Sequence, residues 1–483
     1  TLLPTPAIDL SDHVLYAGDR GLLGLAVDPQ FAVNHHVYLL YTVEPDSSGQ
    51  DTASAAYGRL VRYTMSAADS NLIDPATRVV LMGRTWSEAP PSGSITHAIG
   101  CLRWGRDGSL LVSAGDGAEY SGVDDGGRNP WLFAPGHCDP SEDIGAFRAQ
   151  DLNSLGGKIL RVDPATGLGY PSNPFYDGDP ASKRSRIWAY GVRNTFRFSV
   201  KPGTGSPDPA LGQPGTLYLG DVGWETWEEV DVAKVGGLNF GWPCHEGFHD
   251  NAPYQGAAPD HSDCTTIGTP INPSLATPPL LDYHHTNPSL GSPPGYAGIA
   301  VLGGAIYSGI WYPPTYRGAF FFGDYAGNWI RYAQVDSLDH LVGVFPFGTL
   351  VEGAVDFAVH PQTRDLYYVG IYTGQIFHIR YQPNAGVTPE RPGPALSNAW
   401  PQPARGEVRL ALDLPEARQV SLRVLDPQGR EVRDAGTRVA PAGRSTLTWD
   451  ARTTGGARAA PGIYFVRVTA GDARLQRRVI LLD

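Results

Sequence analysis

From Gly21 to about Gln382 the chain repeats one hydrophobic pattern. A short aromatic or β-branched run is followed by a Gly/Asp turn and then by a second run that ends on a polar or basic residue. Val37–Thr42 goes with Leu60–Tyr63, and Leu110–Ser113 with Lys158–Val162. Thr216–Leu219 goes with Glu229–Val232, Gly318–Phe322 with Trp329–Tyr332, and Asp365–Val369 with Gln375–Ile379. Runs this short, bounded by turn residues, predict strands, and a repeated small antiparallel sheet predicts a β-propeller. The length accommodates about six blades. A pair of β-sandwiches competes but explains the repetition less well. Long Gly/Pro-rich insertions fall at Tyr120–Asp151, Lys201–Gly215 and Phe248–Pro294. Loops of that length in a compact domain are usually functional or stapled.

Pro383–Pro394 has the composition of a linker. Beyond it the pattern changes to strict alternation: Val408–Leu412, Val420–Leu425, Thr446–Trp449, Ile463–Val468 and Leu475–Leu482. The turn Asp426-Pro427-Gln428-Gly429-Arg430 predicts a hairpin. The expected class is therefore all-β: a six-bladed propeller over residues 1–382, a linker over 383–394, and a small Ig-like β-sandwich over 395–483. From Glu390 onward there are fifteen Arg and no Lys against ten acids. A solvated outer strand face explains these arginines better than an anionic partner does.

Composition agrees with many short strands. The chain has 483 residues, 41% hydrophobic, with Gly 59, Pro 42 and only 2 Met. A formal net charge of -12 argues against nucleic acid as a partner and is compatible with calcium in acidic loops. No apolar run reaches membrane-spanning length. The four cysteines fall as two local pairs, Cys101 with Cys138 and Cys244 with Cys264, which reads as two disulfides and an oxidising compartment. Without a C-x-x-C spacing, zinc and thiol redox chemistry are not expected.

The candidate chemistry begins at His97, in a loop of small residues ahead of Ala98–Trp104, with Asp116 between two glycines one strand further on. A loop histidine with a carboxylate one strand away suits a general base, because the carboxylate orients the ring and stabilises its charged form. Four segments then combine: Gly21–Phe31, the His97 segment, Tyr190–Phe198, and Gly220–Asp231 followed closely by Gly236–Pro243. In this order they resemble the soluble sugar dehydrogenases that use pyrroloquinoline quinone (PQQ), the glucose/sorbosone dehydrogenase-like propellers, over about residues 15 to 380.

The resemblance implies a six-bladed propeller with cofactor and sugar on one face. It implies His97 as the base at the anomeric hydroxyl, Asp116 as its support, and Arg193 and Asn194 at the quinone. It also implies main-chain carbonyls of Gly223 and Trp224 on a calcium ion, and Glu229 near a second, structural calcium. A cation beside the quinone oxygens stabilises charge arriving with hydride. The chain departs from the pattern late in the propeller, where Gly323–Gly327 and Val351–Asp356 carry no basic residue. Arg20, Arg197 and Arg317 are the residues that would have to supply the missing charge.

In these departures the chain resembles the hedgehog-interacting-protein-like branch, which includes propellers that bind proteins. The tail resembles the sorting modules of type nine secretion substrates and the Ig-like module of flagellar hook-cap proteins. The matching features are Ser397–Pro403, Asp426–Arg430 and Ala460–Val466. Export is therefore expected, with contact to secretion machinery or the cell surface through the tail. Two functions follow: a calcium-containing, PQQ-dependent aldose dehydrogenase that forms a lactone, or a catalytically silent calcium-bound propeller that binds glycans or proteins. A lactonase-type propeller ranks third.

Overall fold

The computed structural model describes residues 3, 5–45, 55–257, 264, 276–381, 394–414, 416–471 and 473–482. The chain divides into two compact units, Thr1–Tyr381 and Gln382–Asp483. Apart from Pro394, the expected linker lies outside the described residues.

The first unit is a series of antiparallel sheets. Sheet one runs Leu22–Val27, His36–Thr42, Ala56–Met65, Ile73–Met82, and sheet two Ile99–Trp104, Leu110–Ala114, Lys158–Val162, Ile187–Tyr190. Sheet three runs Thr195–Val200, Leu217–Asp221, Trp227–Ala233, Leu281–His284, with the short Gly291–Ser292 at its edge. Sheet four runs Val301–Ile306, Phe320–Asp324, Trp329–Val335, Leu341–Thr349, and sheet five Ala354–Val359, Leu366–Gly370, Gln375–Ile379. All five strand pairs expected from the hydrophobic pattern are formed. Five such sheets and one two-stranded ribbon (His245–Glu246 with His249–Asp250) occur among the described residues.

The first strand of each sheet is innermost, and each of these strands touches the first strand of the next sheet. The sheets pack face to face in sequence. Leu40 and Leu60 of sheet one meet Leu110, Val112 and Leu160 of sheet two, whose other face carries Leu111 and Ile159 onto Phe198 and Leu217 of sheet three. Tyr218, Val230 and Tyr283 meet Phe320 and Phe322, and Phe321 and Ile330 meet Phe357 and Leu366. Alternate residues of one strand thus serve two different interfaces. That is why the strands read as continuous apolar runs. Sheet five turns Tyr367, Val369 and Ile376 to its other side, where Ile376 is 70% exposed.

Of the two expected disulfides, Cys244–Cys264 is formed. Cys101 and Cys138 are free and buried, contrary to the expected bridge. Cys101 packs among Leu111, Ile159 and Phe198 on an inner strand, whereas Cys138 packs with Leu132 within the Tyr120–Asp151 insertion, against Ala55. Each thiol fills a separate apolar site as a small hydrophobe.

The second unit is a sandwich. Ala395–Leu396, Val408–Leu414 and Gly443–Trp449 form one sheet, and Glu431–Ala440, Arg418–Leu425, Gly462–Ala470 and Ala473–Leu481 form the other. Between them lie Leu410, Leu412, Val424, Trp449, Val466 and Val468. The hairpin at Asp426–Arg430 forms as expected, with Asp426 Oδ1 accepting from the Gln428 and Arg430 amides. Arg423, Arg467, Arg474 and Arg478 stand exposed on the outer side of the larger sheet.

Candidate functional site

Two cavities open along the inner strands of the first unit. One, of about 480 Å³, is lined where those strands begin, by Leu22, Leu23, Phe196, Val301, Leu302 and Val355, with Asp19, Arg20, Asn194 and Tyr325 as its polar groups. The other, of about 600 Å³, is lined where they end, by Leu25, Trp104, Ile306, Phe357 and Val359 among others. Asp356 belongs to this second end and is held by Arg103 at 2.8 Å and Arg197 at 3.2 Å.

Beside the smaller cavity, the loop before Ile99–Trp104 carries His97. Its Nδ1 lies 3.0 Å from Asp116 Oδ1. The same oxygen accepts from the Ala118 amide at 2.9 Å, and Oδ2 accepts from the Trp242 indole at 2.8 Å. Burial alone would raise the Asp116 pKa, but His97 and Arg193 outweigh it and hold the carboxyl below its ordinary value. An ionised carboxylate only accepts hydrogen bonds. Nδ1 is therefore the protonated nitrogen, and Nε2 is left to receive a proton. Gly115 is required here because a Cβ would stand 2.4 Å from the His97 carbonyl.

Arg193 and Asn194 lie between sheets two and three, in the turn that leads into Thr195–Val200. Asp221 shapes that turn by accepting from both amides, at 2.7 and 2.8 Å. The Arg193 carbonyl accepts from the Asp116 amide at 2.9 Å, so the two halves of the site share one main-chain bond. The Arg193 guanidinium donates to the carbonyls of Val222 and Gly223 and lies 5.3 Å from the Trp242 ring centre. The Gly223 carbonyl expected on calcium thus already has a donor. Trp224 sits in a turn that Glu246 Oε1 organises by accepting from the amides of residues 224–227.

Glu229 lies opposite Asp221 on the neighbouring strand, and Asp231 follows on the same face. Ligand oxygens of these three buried carboxylates lie within 4.8 Å of one another. Burial raises all three above the ordinary carboxyl range; neighbouring carboxylates raise Glu229 and Asp231 further, whereas the Arg193 and Asn194 amides partly offset the rise at Asp221. Among the described residues neither Asp231 oxygen has a hydrogen-bond partner. Buried anions without partners are costly, and a hard cation is the usual remedy.

The expected residues therefore fall into one region. His97, Asp116, Arg193, Asn194 and Gly223 are joined by direct bonds, and Glu229 lies one strand behind through Asp221. Trp242, Asp221, Asp231, Glu246 and Asp19 were missed. Asp221 and Asp231 did carry a signal, since strand alternation puts residues 229 and 231 on one face. Trp242 carried none, because it reaches Asp116 from 126 positions away. Of the three arginines considered for the missing charge, only Arg20 lines the cavity. Arg197 is on Asp356, and Arg317 donates to the Ile310 carbonyl.

Residues 3–342 match the family model described as Glucose / Sorbosone dehydrogenase. The chain belongs to the glucose/sorbosone dehydrogenase family. Residues 397–474 match the FlgD Ig-like domain. The HIPL2 protein of Arabidopsis thaliana is 26% identical over 383 residues, 69% of this chain and 46% of the relative. Quinoprotein glucose dehydrogenase B of Acinetobacter calcoaceticus is 26% identical over 240 residues, 49% of this chain and 42% of that protein. The chain thus spans about half the length of the curated relatives it matches. A glucose dehydrogenase crystal structure aligns with a TM-score of 0.52 at 20% identity, covering 79% of this chain and 88% of the other, a likeness of fold. The described residues of this chain are nearly all β.

Proposed function

We propose that the first unit oxidises an aldose at its anomeric carbon to the lactone, with PQQ as hydride acceptor and calcium bound nearby. The observation that carries the reading is the His97–Asp116 pair, with its ring tautomer fixed, beside the 480 Å³ cavity. The cavity suits a planar quinone. Its apolar side chains offer flat walls, and Arg20, Asn194 and the neighbouring Arg193 offer polar and cationic groups for an anionic ring system. When bound, PQQ would supply the hydride acceptor that no side chain can provide. His97 Nε2 takes the proton of the anomeric hydroxyl, and Asp116 stabilises the imidazolium that results. Arg193 and the adjacent Asn194 would stabilise the negative charge that the acceptor gains with hydride. Asp221, Glu229 and Asp231 would hold the cation, and the apolar walls exclude water.

A second reading, a silent propeller that binds a glycan or protein, is favoured by the late strands. Where basic groups were sought, the chain has Tyr325 and the buried Asp324, and Tyr372 donates to the Tyr325 carbonyl. The disulfide supports an exported protein, and the Ig-like unit supports a surface or secretion contact. No described helix is long and apolar enough to cross a membrane. Reconstitution decides between the readings. The protein is incubated with PQQ and calcium, and aldose-dependent dye reduction and PQQ affinity are measured. Turnover is expected; neither turnover nor binding would sink the dehydrogenase reading.

A further inference from the structure

We propose that Trp242 is a positioning residue for the base, holding the carboxylate of Asp116 through its indole N–H; this rests on the role of His97 given above. Trp242 is 2% exposed. Its Nε1 donates to Asp116 Oδ2 at 2.8 Å. The other carboxylate oxygen meets His97 Nδ1 at 3.0 Å and accepts from the Ala118 amide at 2.9 Å. A carboxylate turns about its Cβ–Cγ bond, and bonds to one oxygen leave part of that rotation open. A donor on the second oxygen closes it. Among the described residues the indole is the one donor on Oδ2. Its N–H can only donate, and the bond to an ionised acceptor is of the stronger, charge-assisted kind. Trp242 therefore sets the plane of the carboxylate, and with it the direction in which the His97 ring is held. It touches no reacting atom and works through Asp116.

The indole is itself fixed from several sides. The Trp242 amide donates to the Gly191 carbonyl at 2.9 Å, and the Trp242 carbonyl accepts from Gln150 Nε2 at 2.7 Å. Gln150 is paired with Asn239, each side-chain amide donating to the other, at 3.0 and 2.8 Å. Tyr254 packs edge-on against the ring at 5.1 Å. Gln150 and Tyr254 belong to two of the long insertions, so these loops place an indole behind the base. Packing with Ala118, Phe147 and Tyr254 accounts for an aromatic ring at this position. It does not account for a ring nitrogen directed at a carboxylate, and phenylalanine separates the two. Phenylalanine also keeps an aromatic face for the Arg193 guanidinium, which lies 5.3 Å from the ring centre, so only the N–H is removed from the site.

The test uses the full chain and Trp242→Phe. The first readout is independent of PQQ. Of the 13 histidines, the imidazole signals of His97 are assigned in ¹⁵N-histidine NMR spectra by their loss in His97→Gln. In Trp242→Phe these signals shift or double. In Phe147→Leu, a packing change in the same cluster, they stay in place. Gln150→Ala leaves the indole in the chain but removes the donor on its carbonyl; it displaces the His97 signals too and covers the case in which Trp242→Phe fails to fold. The second readout is aldose oxidation with PQQ. Here kcat falls about tenfold in Trp242→Phe, with KM for the sugar within about twofold. In the Asp116→Asn background the same substitution costs less than about twofold more, because the group it acts through is already gone. Unmoved His97 signals in Trp242→Phe overturn the proposal, as does a Phe147→Leu variant displaced as far, or a full tenfold loss in the Asp116→Asn background. If the native protein oxidises no aldose, the NMR readout still tests the indole, so its failure and that of the enzymatic reading are told apart.

Discussion

The guanidinium of Arg193 donates to the main-chain carbonyl of Gly223 at 2.5 Å, tying the cavity-side turn of one strand pair to the start of the next. The cation is therefore set by fixed partners, Val222, Gly223 and the Trp242 face, before anything enters the cavity. Preorganised charge of this kind acts at full strength because nothing has to reorient during reaction. Lysine keeps the charge but lacks the planar fork and the stacking face. Arg193→Lys is expected to lower kcat for aldose oxidation about tenfold to a hundredfold with little loss of thermal stability. Steady-state kinetics beside a melting curve measure both, and native kcat in the lysine variant would remove Arg193 from the mechanism.

Asp116 is ionised and accepts from His97, Ala118 and Trp242 together. Asp116→Asn offers an amide of the same shape, but it can stabilise no imidazolium, and its NH₂ disrupts the bonding on one side. We expect aldose oxidation to fall about 10²–10⁴-fold, as when a general base loses its support. His97→Gln should be at least as inactive. Parallel activity in the two variants would show that the pair acts as a unit, whereas an active Asp116→Asn would refute the assigned tautomer.

The strand pairs and the hairpin at Asp426 were legible in the sequence because they follow from local alternation and turn chemistry. The strand pair Leu217–Asp221 and Trp227–Ala233 could be read from the apolar run Leu217–Leu219 and the alternation of Glu229, Val230, Asp231 and Val232. What faces what across 100 residues could not. Trp242 on Asp116 is a meeting created by the order of the sheets. The Cys101–Cys138 pairing failed for the same reason: closeness in sequence said nothing about an inner strand and a distant loop. Calcium on the Gly223 carbonyl was inferred without sight of Arg193, which occupies that oxygen.

The two free thiols give a direct chemical test. Cys101 and Cys138 are buried, and burial pushes the Cys138 thiol up to about 12. A buried thiol with a raised pKa reacts slowly. Ellman's reagent should label no cysteine in the native protein and two in denaturant, with four after reduction. No labelling in denaturant would mean that the two are bridged after all.

A cation at Asp221, Glu229 and Asp231 should stabilise the first unit, because it supplies a partner to three carboxylates whose charged forms burial disfavours. At a calcium concentration about a hundredfold above Kd, binding adds about 2.7 kcal/mol. A chelator should therefore lower Tm, and calcium should restore it. Asp231→Asn should weaken calcium binding in calorimetry. In chelator it should melt no lower than the native protein, because it removes a buried carboxylate whose two oxygens have no hydrogen-bond partner among the described residues. Equal melting of the native protein with calcium and with chelator would exclude the site.

Asp356 closes the far end of the inner strands between Arg103 and Arg197. Burial alone would raise its pKa, but the two guanidinium groups outweigh it and hold the carboxyl below its ordinary 3.8. A carboxyl lowered on folding contributes stability that is complete above its unfolded pKa and is lost as pH falls through the folded one. Asp356→Asn should cost about 2 kcal/mol at pH 7. That is less than the roughly 3–5 kcal/mol of a fully buried pair broken on one side, because the Asp356 side chain stays 32% accessible. The difference between variant and native protein should then narrow as pH falls below about 3.8. Urea unfolding of both proteins from pH 7 to pH 3 measures the gap, and a gap of constant size would show that the loss is one of packing rather than charge.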